Sequence, residues 1–228
     1  SAAYAGLNVK IIGSDPGITA AFNGGTHMPL EDMGIMRNIP NVTVIEPTDS
    51  IMLEDVIRQT KDMFGVFYIR LSRKKAEQIY EAGSTFEIGK AVTLRSGSDA
   101  TIIATGIMVA EALRAADLLE KDGIKVGVQN MFTIKPIDIE AVKMAAEKTG
   151  AIVTAENHNI VNGLGSAVAE VLAENNPVPM ERVGVADHFG EVGSVDYLRE
   201  KFRLTAADIV CAVKKAIERK NQSKEARI

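Results

Sequence analysis

The sequence contains very little cysteine, no surplus of basic charge and no long apolar run. Its one cysteine, Cys211, excludes an internal disulfide, which suits a reducing compartment, and we expect a cytoplasmic location. The formal net charge of -4 gives no reason to expect nucleic acid as a partner. The apolar runs have the length of strands and fall far short of a membrane span, so no membrane segment is predicted.

Common catalytic signatures are missing as well. The sequence has no serine or cysteine nucleophile motif, no cluster of metal-ligating cysteines, no P-loop and no complete dinucleotide fingerprint. We therefore predict no metal site in this chain. Cys211 falls in the apolar pattern of a late helix, and this pattern favours a small core residue over a nucleophile.

Short apolar runs alternate with amphipathic stretches along a chain of 228 residues that are 46% hydrophobic and 25% charged. This alternation indicates an α/β fold with mainly parallel sheets flanked by helices on both faces. The predicted strands are Val9–Ile12, Val42–Ile45, Val66–Leu71, Ala91–Leu94, Thr101–Ala104, Lys125–Val128, Ala151–Ala155 and Arg182–Val185. Two helices are predicted in the first half of the chain, one beginning at Pro29 and one after a cap at Thr48 or Asp49. Five more are predicted in the second half, at Ile107–Glu120, Ile139–Lys148, Leu164–Ala173, Val195–Lys201 and Ala206–Arg219.

One segment interrupts this alternation. Between Ser72 and Thr85 the chain turns polar and loses its periodicity, which makes this segment the best candidate for a linker. We predict two domains, residues 1–73 and 88–221, joined by a linker at residues 74–87 and followed by a tail at residues 222–228.

Three histidines lie near the ends of predicted strands or in glycine-rich turns, where open α/β sheets bind their ligands. His27 follows Gly24 and Gly25, and an imidazole there can donate or accept a proton near neutral pH. Spacing alone slightly favours the alternative, a histidine that only holds a turn. For His158 the sequence clearly favours a tight strand-to-helix turn, and His188 is interpreted as a loop or interface contact.

Three charged residues also allow two interpretations each. Arg73 follows the third predicted strand and could hold a phosphate through two hydrogen bonds, although the residue alone is better explained as solvated. Asp15 is a turn residue or a ligand contact. Asp49 is a helix cap or a ligand contact, and the sequence leaves both choices open.

Two sets of motifs resemble those of one family. The first block is similar to the pyrimidine-binding domain of transketolases and 1-deoxyxylulose-5-phosphate synthases, through Gly24-Gly25-Thr26-His27-Met28-Pro29-Leu30-Glu31, Arg37-Asn38-Ile39-Pro40-Asn41 and Pro47-Thr48-Asp49. The second block resembles the transketolase C-terminal domain, shared with β subunits of 2-oxo-acid dehydrogenases, through Ile134-Lys135-Pro136-Ile137-Asp138, Glu156-Asn157-His158 and Phe189-Gly190-Glu191-Val192-Gly193-Ser194. The resemblance covers essentially the whole chain, with its motifs in the family's order.

The resemblance assigns roles to individual residues. His27 matches the family histidine that lies over the thiazolium ring and contacts substrate oxygens, and Arg73 matches the arginine that holds a sugar-phosphate tail. Asp15 replaces a histidine of many transketolases and Asn23 replaces an acidic residue, at two positions that hold sugar hydroxyls in the family. These two differences leave the identity of the sugar donor open.

The resemblance implies the C-terminal part of a split transketolase. The holoenzyme would transfer a two-carbon ketol unit between sugar phosphates with thiamine diphosphate and Mg²⁺, in a complex with an N-terminal transketolase subunit. The glutamate and the aromatic wall that hold the aminopyrimidine, and the G-D-G diphosphate motif, are not in this sequence. We therefore expect the chain alone to be inactive and to bind no cofactor.

The same absence implies an incomplete first sheet, whose exposed edge favours a homo-oligomer. Two other interpretations stay open. One is a part of a 1-deoxyxylulose-5-phosphate synthase or a 2-oxo-acid dehydrogenase β-like chain, although the His27 motif speaks against the dehydrogenase. The other is a non-catalytic assembly module.

Overall fold

A computed structural model describes residues 1–72 and 76–225 of the chain. The strands are β1 Val9–Ser14, β2 Val42–Ile45, β3 Val66–Leu71, β4 Val92–Arg95, β5 Ala100–Ala104, β6 Val126–Asn130, β7 Thr133–Lys135, β8 Ile152–Asn159 and β9 Met180–Val185. The helices are α1 Asp32–Asn38, α2 Ser50–Thr60, α3 Met108–Lys121, α4 Ile139–Thr149, α5 Leu164–Glu174, α6 Val195–Lys201 and α7 Ala206–Glu225. Two 3₁₀ helices, Gly17–Asn23 and Gly25–His27, connect β1 to α1.

The strands form two sheets, and the α/β prediction is confirmed. The first sheet has the order β1-β3-β2-β7, with β1, β2 and β3 parallel. The second has the order β4-β6-β5-β8-β9, in which only β4 runs antiparallel to its neighbour. Buried apolar residues of β5, β8, α3 and α7 form the largest core, as expected for strands covered by helices.

Strand β7 was not predicted, and it joins the two halves of the chain. It comes from the second half but pairs antiparallel with β2, with Val44 opposite Lys135 and Ile45 opposite Thr133. A three-residue strand is too short to show an apolar period, so no pattern of residues indicated it. The domain boundaries at residues 73/74 and 87/88 stay a prediction.

Local capping fixes several helix ends. The Asp49 carboxylate accepts a hydrogen bond from Met52 N at 2.9 Å and begins α2, as one of the two predicted caps. Thr205 and Asp208 bond each other's backbone N–H groups at the start of α7, in the reciprocal arrangement of a capping box. Gly150 ends α4 in the left-handed conformation, with a φ of 66°.

Two sequence-based expectations were wrong. The first helix begins at Asp32 and not at Pro29, because the Pro29 carbonyl accepts Gly17 N and Leu30 N donates to the Glu31 side chain. These bonds hold the segment in a non-helical conformation. Cys211 is exposed, because it lies two residues beyond the buried Ile209 and therefore on the far side of α7.

The polar segment between the two halves is fixed to α2. Asp49 Oδ2 accepts Ile79 N at 2.8 Å and Tyr80 N at 2.9 Å, and Asp55 Oδ2 accepts Phe86 N at 2.9 Å. The Tyr80 and Phe86 rings pack edge to face, with centroids 4.6 Å apart. Within residues 1–72 and 76–225 no helix is long and apolar enough to cross a membrane.

Candidate active site

His27 lies on an exposed turn that is anchored on both sides by buried residues. The Thr26 and His27 side chains are exposed, while Met28 and Leu30 are only 4% exposed. His27 Nδ1 is 3.0 Å from Thr26 Oγ1, and no described residue bonds to its Nε2. One imidazole nitrogen is therefore free to meet a ligand, while the following residues fix the backbone. This arrangement suits a general acid–base or hydrogen-bonding group.

Asp15 and Asn23 lie at the two ends of the segment that leads to this turn. Asp15 follows β1 with a φ of 59° and is 7% exposed, and its N–H donates to Leu71 O at 3.0 Å. Asn23 ends the first 3₁₀ helix and is exposed. Arg73, the third predicted substrate contact, lies outside the described residues.

A cavity of about 360 Å³ opens where the carboxyl ends of the two sheets face each other. Its walls come from both halves of the chain, with Glu46 after β2, Ser72 after β3 and Gly106 after β5. His27 is not among its lining residues. The expectation that ligands bind at the carboxyl ends of the strands therefore agrees with the cavity, but it does not locate the exposed His27.

An ion cluster centred on Arg70 lies at the inner wall of this cavity. The fully buried Arg70 donates to Asp32 at 2.8 Å, to Glu46 at 2.5 Å and to Asn157 O at 2.9 Å. Burial raises the pKa of Glu46 more than Arg70 lowers it. Burial would also raise the pKa of Asp32, which is less enclosed, but Arg70 brings it below its usual value. The cluster thus keeps its charges paired and ties β3 to α1 and β8.

The contact between the two halves of the chain also involves the second sheet, through Glu156-Asn157-His158. The Asn157 amide accepts Ile18 N at 2.9 Å and donates to Pro16 O at 3.0 Å. The Glu156 carboxylate accepts Leu164 N at 2.7 Å and Gly165 N at 2.8 Å at the start of α5. It therefore caps a helix inside the core.

His158 is structural, as the sequence favoured, but the predicted turn was wrong, because His158 lies within strand β8. Its side chain is completely buried, with Nδ1 2.7 Å from Asn159 O and Nε2 accepting Gly34 N at 3.3 Å. Burial, with the nearby Arg70, lowers its pKa to about 4, and burial raises the pKa of Glu156 to about 7. His158 is thus neutral at physiological pH and holds α1 against β8.

Arg70, Asp32 and Glu46 were not among the residues predicted to form a site. A signal did exist for Arg70, because an arginine within the otherwise apolar strand β3 must be buried with partners or lie at an edge. The partners themselves could not be named, since Asp32 and Glu46 lie 38 and 24 residues away along the chain.

Comparison with known proteins places both halves of the chain. The family model described as the transketolase pyrimidine binding domain matches residues 1–78, and that of the transketolase C-terminal domain matches residues 89–209. The 6-deoxy-6-sulfo-D-fructose transketolase subunit SqwH of Clostridium sp. (strain MSTE9) is 59% identical over 97% of this chain and 69% of its own length.

Two further relatives agree with this placement. A Methanocaldococcus jannaschii protein named as a transketolase C-terminal section is 45% identical over 91% of this chain and 66% of its own length. A solved structure named as a split gene transketolase, inactive beta4 tetramer, superposes with a TM-score of 0.90 at 43% identity, covering 95% of this chain and 69% of that one. The chain spans about two thirds of the length of these relatives, and it belongs to the transketolase family as the C-terminal part of a split enzyme.

Proposed function

We propose that this chain supplies the His27 side of the active site in a two-subunit transketolase that transfers a two-carbon ketol unit between sugars. The supporting observation is the His27 turn, which presents a free imidazole nitrogen on a fixed backbone. The partner would be an N-terminal transketolase subunit that holds the diphosphate and Mg²⁺. When bound, thiamine diphosphate supplies the carbon nucleophile that carries the two-carbon unit.

The described residues fit the reactive end of this cofactor better than its diphosphate end. Next to Gly24 and Gly25, the His27 imidazole can approach a ring and donate a hydrogen bond to a substrate oxygen. Residues 1–72 and 76–225 contain no group of three histidine, cysteine or acidic side chains that could hold a metal ion. We therefore propose that the chain alone binds thiamine diphosphate weakly at best. Isothermal titration with the cofactor and Mg²⁺ tests this, and micromolar binding to the chain alone would contradict it.

The role of His27 is tested by His27→Ala in the complex with the N-terminal subunit. Loss of a general acid–base or oxyanion partner typically lowers turnover about 10²–10⁴-fold. His188→Ala is the matched control, because His188 is also an exposed loop histidine and no contact with substrate is proposed for it. Full turnover in His27→Ala would leave the turn-holding interpretation and count against the proposal.

The substrate contacts are proposed from the family positions of Asp15, Asn23 and Arg73. An arginine that binds an anionic tail away from the reacting atoms contributes mainly to substrate affinity. Arg73→Ala should therefore raise the Michaelis constant for sugars with an anionic tail more than it lowers turnover. An equal loss with a substrate that lacks the tail would argue against this role.

Two donor classes are candidates, a sugar phosphate and a sulfosugar. The sugar phosphate follows from the general family resemblance. The sulfosugar is favoured by the identity of 59% to the Clostridium subunit, whose name specifies 6-deoxy-6-sulfo-D-fructose. Comparison of kcat/KM for this compound and for fructose 6-phosphate distinguishes the two. A ratio above 10 for either donor identifies the class.

We also propose that the chain forms a homo-oligomer through the edge of its first sheet. β1 is an edge strand whose Ile11 and Ile12 are 36% and 49% exposed, and such edges pair readily with another chain. Native mass spectrometry of the purified chain tests the assembly. A monomer at micromolar concentration would contradict it.

A further inference from the structure

We infer that Gly190 is a positioning residue, through which the second half of the chain sets the place of the His27 turn. This inference rests on the proposed role of His27. It assigns a part in catalysis to the loop Phe189–Gly193, which we call the glycine loop, although none of its side chains was proposed to touch substrate.

The glycine loop and the His27 turn touch backbone to backbone. A methyl group on Gly25 would collide with the Gly190 carbonyl oxygen, and one on Gly190 would come within 2.5 Å of Met28 Sδ. A methyl group on Gly24 would lie 2.9 Å from Val192 Cγ2, and Gly24 has a φ of 79°. Glycines on both sides therefore permit an approach that any larger residue would prevent.

The glycine loop is itself held from outside the turn. Glu191 accepts the Tyr197 hydroxyl at 2.6 Å and forms an ion pair with Lys201 at 2.8 Å, both on α6. Ser194 accepts Tyr197 N at 3.2 Å and caps that helix. The loop is thus tied to a helix of the second half, through which it can support the turn.

The turn also packs into the core of the second half. Met28 and Leu30 belong to the same buried cluster as Val185 and Leu198, and Asn159 N donates to Leu30 O at 2.7 Å. The residues that follow His27 are therefore fixed by the second sheet and α6. Since a displacement of about 1 Å can cost roughly 10²-fold in rate, this support has a direct consequence for turnover.

The test is Gly190→Ala in the complex with the N-terminal subunit. The added methyl group would also lie 3.0 Å from Met28 Cβ and Cγ, and the Met28 side chain is buried with little room to move away. We therefore expect the turn to shift and turnover to fall about 10-fold or more, with a smaller change in KM. Gly123→Ala is the control, because Gly123 has a φ of 77° and no atom within 4 Å of an added methyl group. The variant introduces backbone strain in the loop after α3 without a steric clash, and its turnover should stay unchanged.

A double-mutant cycle separates steric displacement from general damage. Met28→Ala removes Sδ and Cγ, which the new methyl group would meet at 2.5 and 3.0 Å, and leaves only Cβ at 3.0 Å, so Gly190→Ala should cost less in the Met28→Ala background than in the unmodified chain. Equal losses in both backgrounds would overturn the steric mechanism.

The His27→Ala background separates this inference from the proposed function. If Gly190 acts through His27, Gly190→Ala causes no further loss there. A full additional loss would overturn the inference while leaving His27 catalytic. Full turnover in His27→Ala itself would remove both.

A second readout does not need activity. The chain has three histidines, so ¹³C-histidine labelling gives few ring resonances, and His27→Ala assigns one of them. We expect Gly190→Ala to shift the His27 ring signals and to leave those of the buried His158 in place. Unmoved His27 signals would overturn the inference.

Discussion

His27 and His158 both lie in polar runs beside glycines, and the fold gives them opposite environments. His27 is exposed on a 3₁₀ turn, and its side chain bonds only to that of its neighbour Thr26 among the described residues. His158 is completely buried and uses both ring nitrogens in bonds to backbone groups. The buried His158 therefore stabilises the contact between the two halves of the chain, while the exposed His27 is available to a ligand.

The regions around the two histidines differ in the same way. Around His158 lie the paired charges of Arg70, Asp32 and Glu46, together with the helix cap Glu156. Around His27 lie glycines that allow close backbone packing. Polar groups in the first region stabilise the fold, whereas small residues in the second allow two backbone segments to pack closely beside an exposed imidazole.

The largest expected effect concerns Arg70, on which the buried region depends. Arg70→Met leaves two buried carboxylates without a counter-charge, which should lower the free energy of unfolding by about 3–5 kcal/mol. Arg95→Met is the control, because Arg95 pairs with Asp117 and Glu120 at the surface and is worth about 1 kcal/mol or less. Urea denaturation measures both values. Equal losses for the two variants would erase the contrast between buried and exposed regions.

The stability of the buried region should also depend on pH, through His158 and Glu156. The folded pKa of His158 is lowered to about 4, so its contribution to stability is lost as pH falls from 6.5 towards 4. The folded pKa of Glu156 is raised to about 7, so its contribution is lost as pH rises from 4.5 towards 7. The two trends oppose each other in the unmodified chain.

Glu156→Gln should therefore uncover the His158 trend. The unfolding free energy of Glu156→Gln should rise with pH between 4 and 6.5 by up to about 3 kcal/mol, whereas in the unmodified chain the Glu156 trend opposes this rise. His158→Gln should show the reverse slope between pH 4.5 and 7. Urea titrations at four pH values test both, and parallel profiles for all three chains would contradict the prediction.

The smallest expected effect is the loss of the exposed imidazole. His158→Ala leaves the Gly34 N–H buried without an acceptor and should cost about 2 kcal/mol or more of stability. His27→Ala removes an exposed side chain and should stay within about 0.5 kcal/mol of the unmodified chain. Thermal unfolding of the two variants measures the difference. If His27→Ala unfolds as easily as His158→Ala, His27 is a structural residue.

Much of the fold could be predicted because its signals are local. Strands Val42–Ile45 and Val66–Leu71 appeared at their observed bounds, since continuous apolar runs of that length form buried parallel strands. The cap at Asp49 rests on a residue three positions away. Strand β7 was not predicted, because its partner β2 is about 90 residues away and its own length is three residues.

The fold class, the family and the candidate catalytic role of His27 could all be predicted from the sequence alone. This was possible because apolar periodicity and short motifs are properties of neighbouring residues. Only the tertiary structure decided which histidine is exposed, which charges surround Arg70 and which loop supports the His27 turn. Exposure, charge pairing and backbone approach depend on residues such as Gly25 and Gly190, which are far apart in the chain and meet only after both halves have folded together.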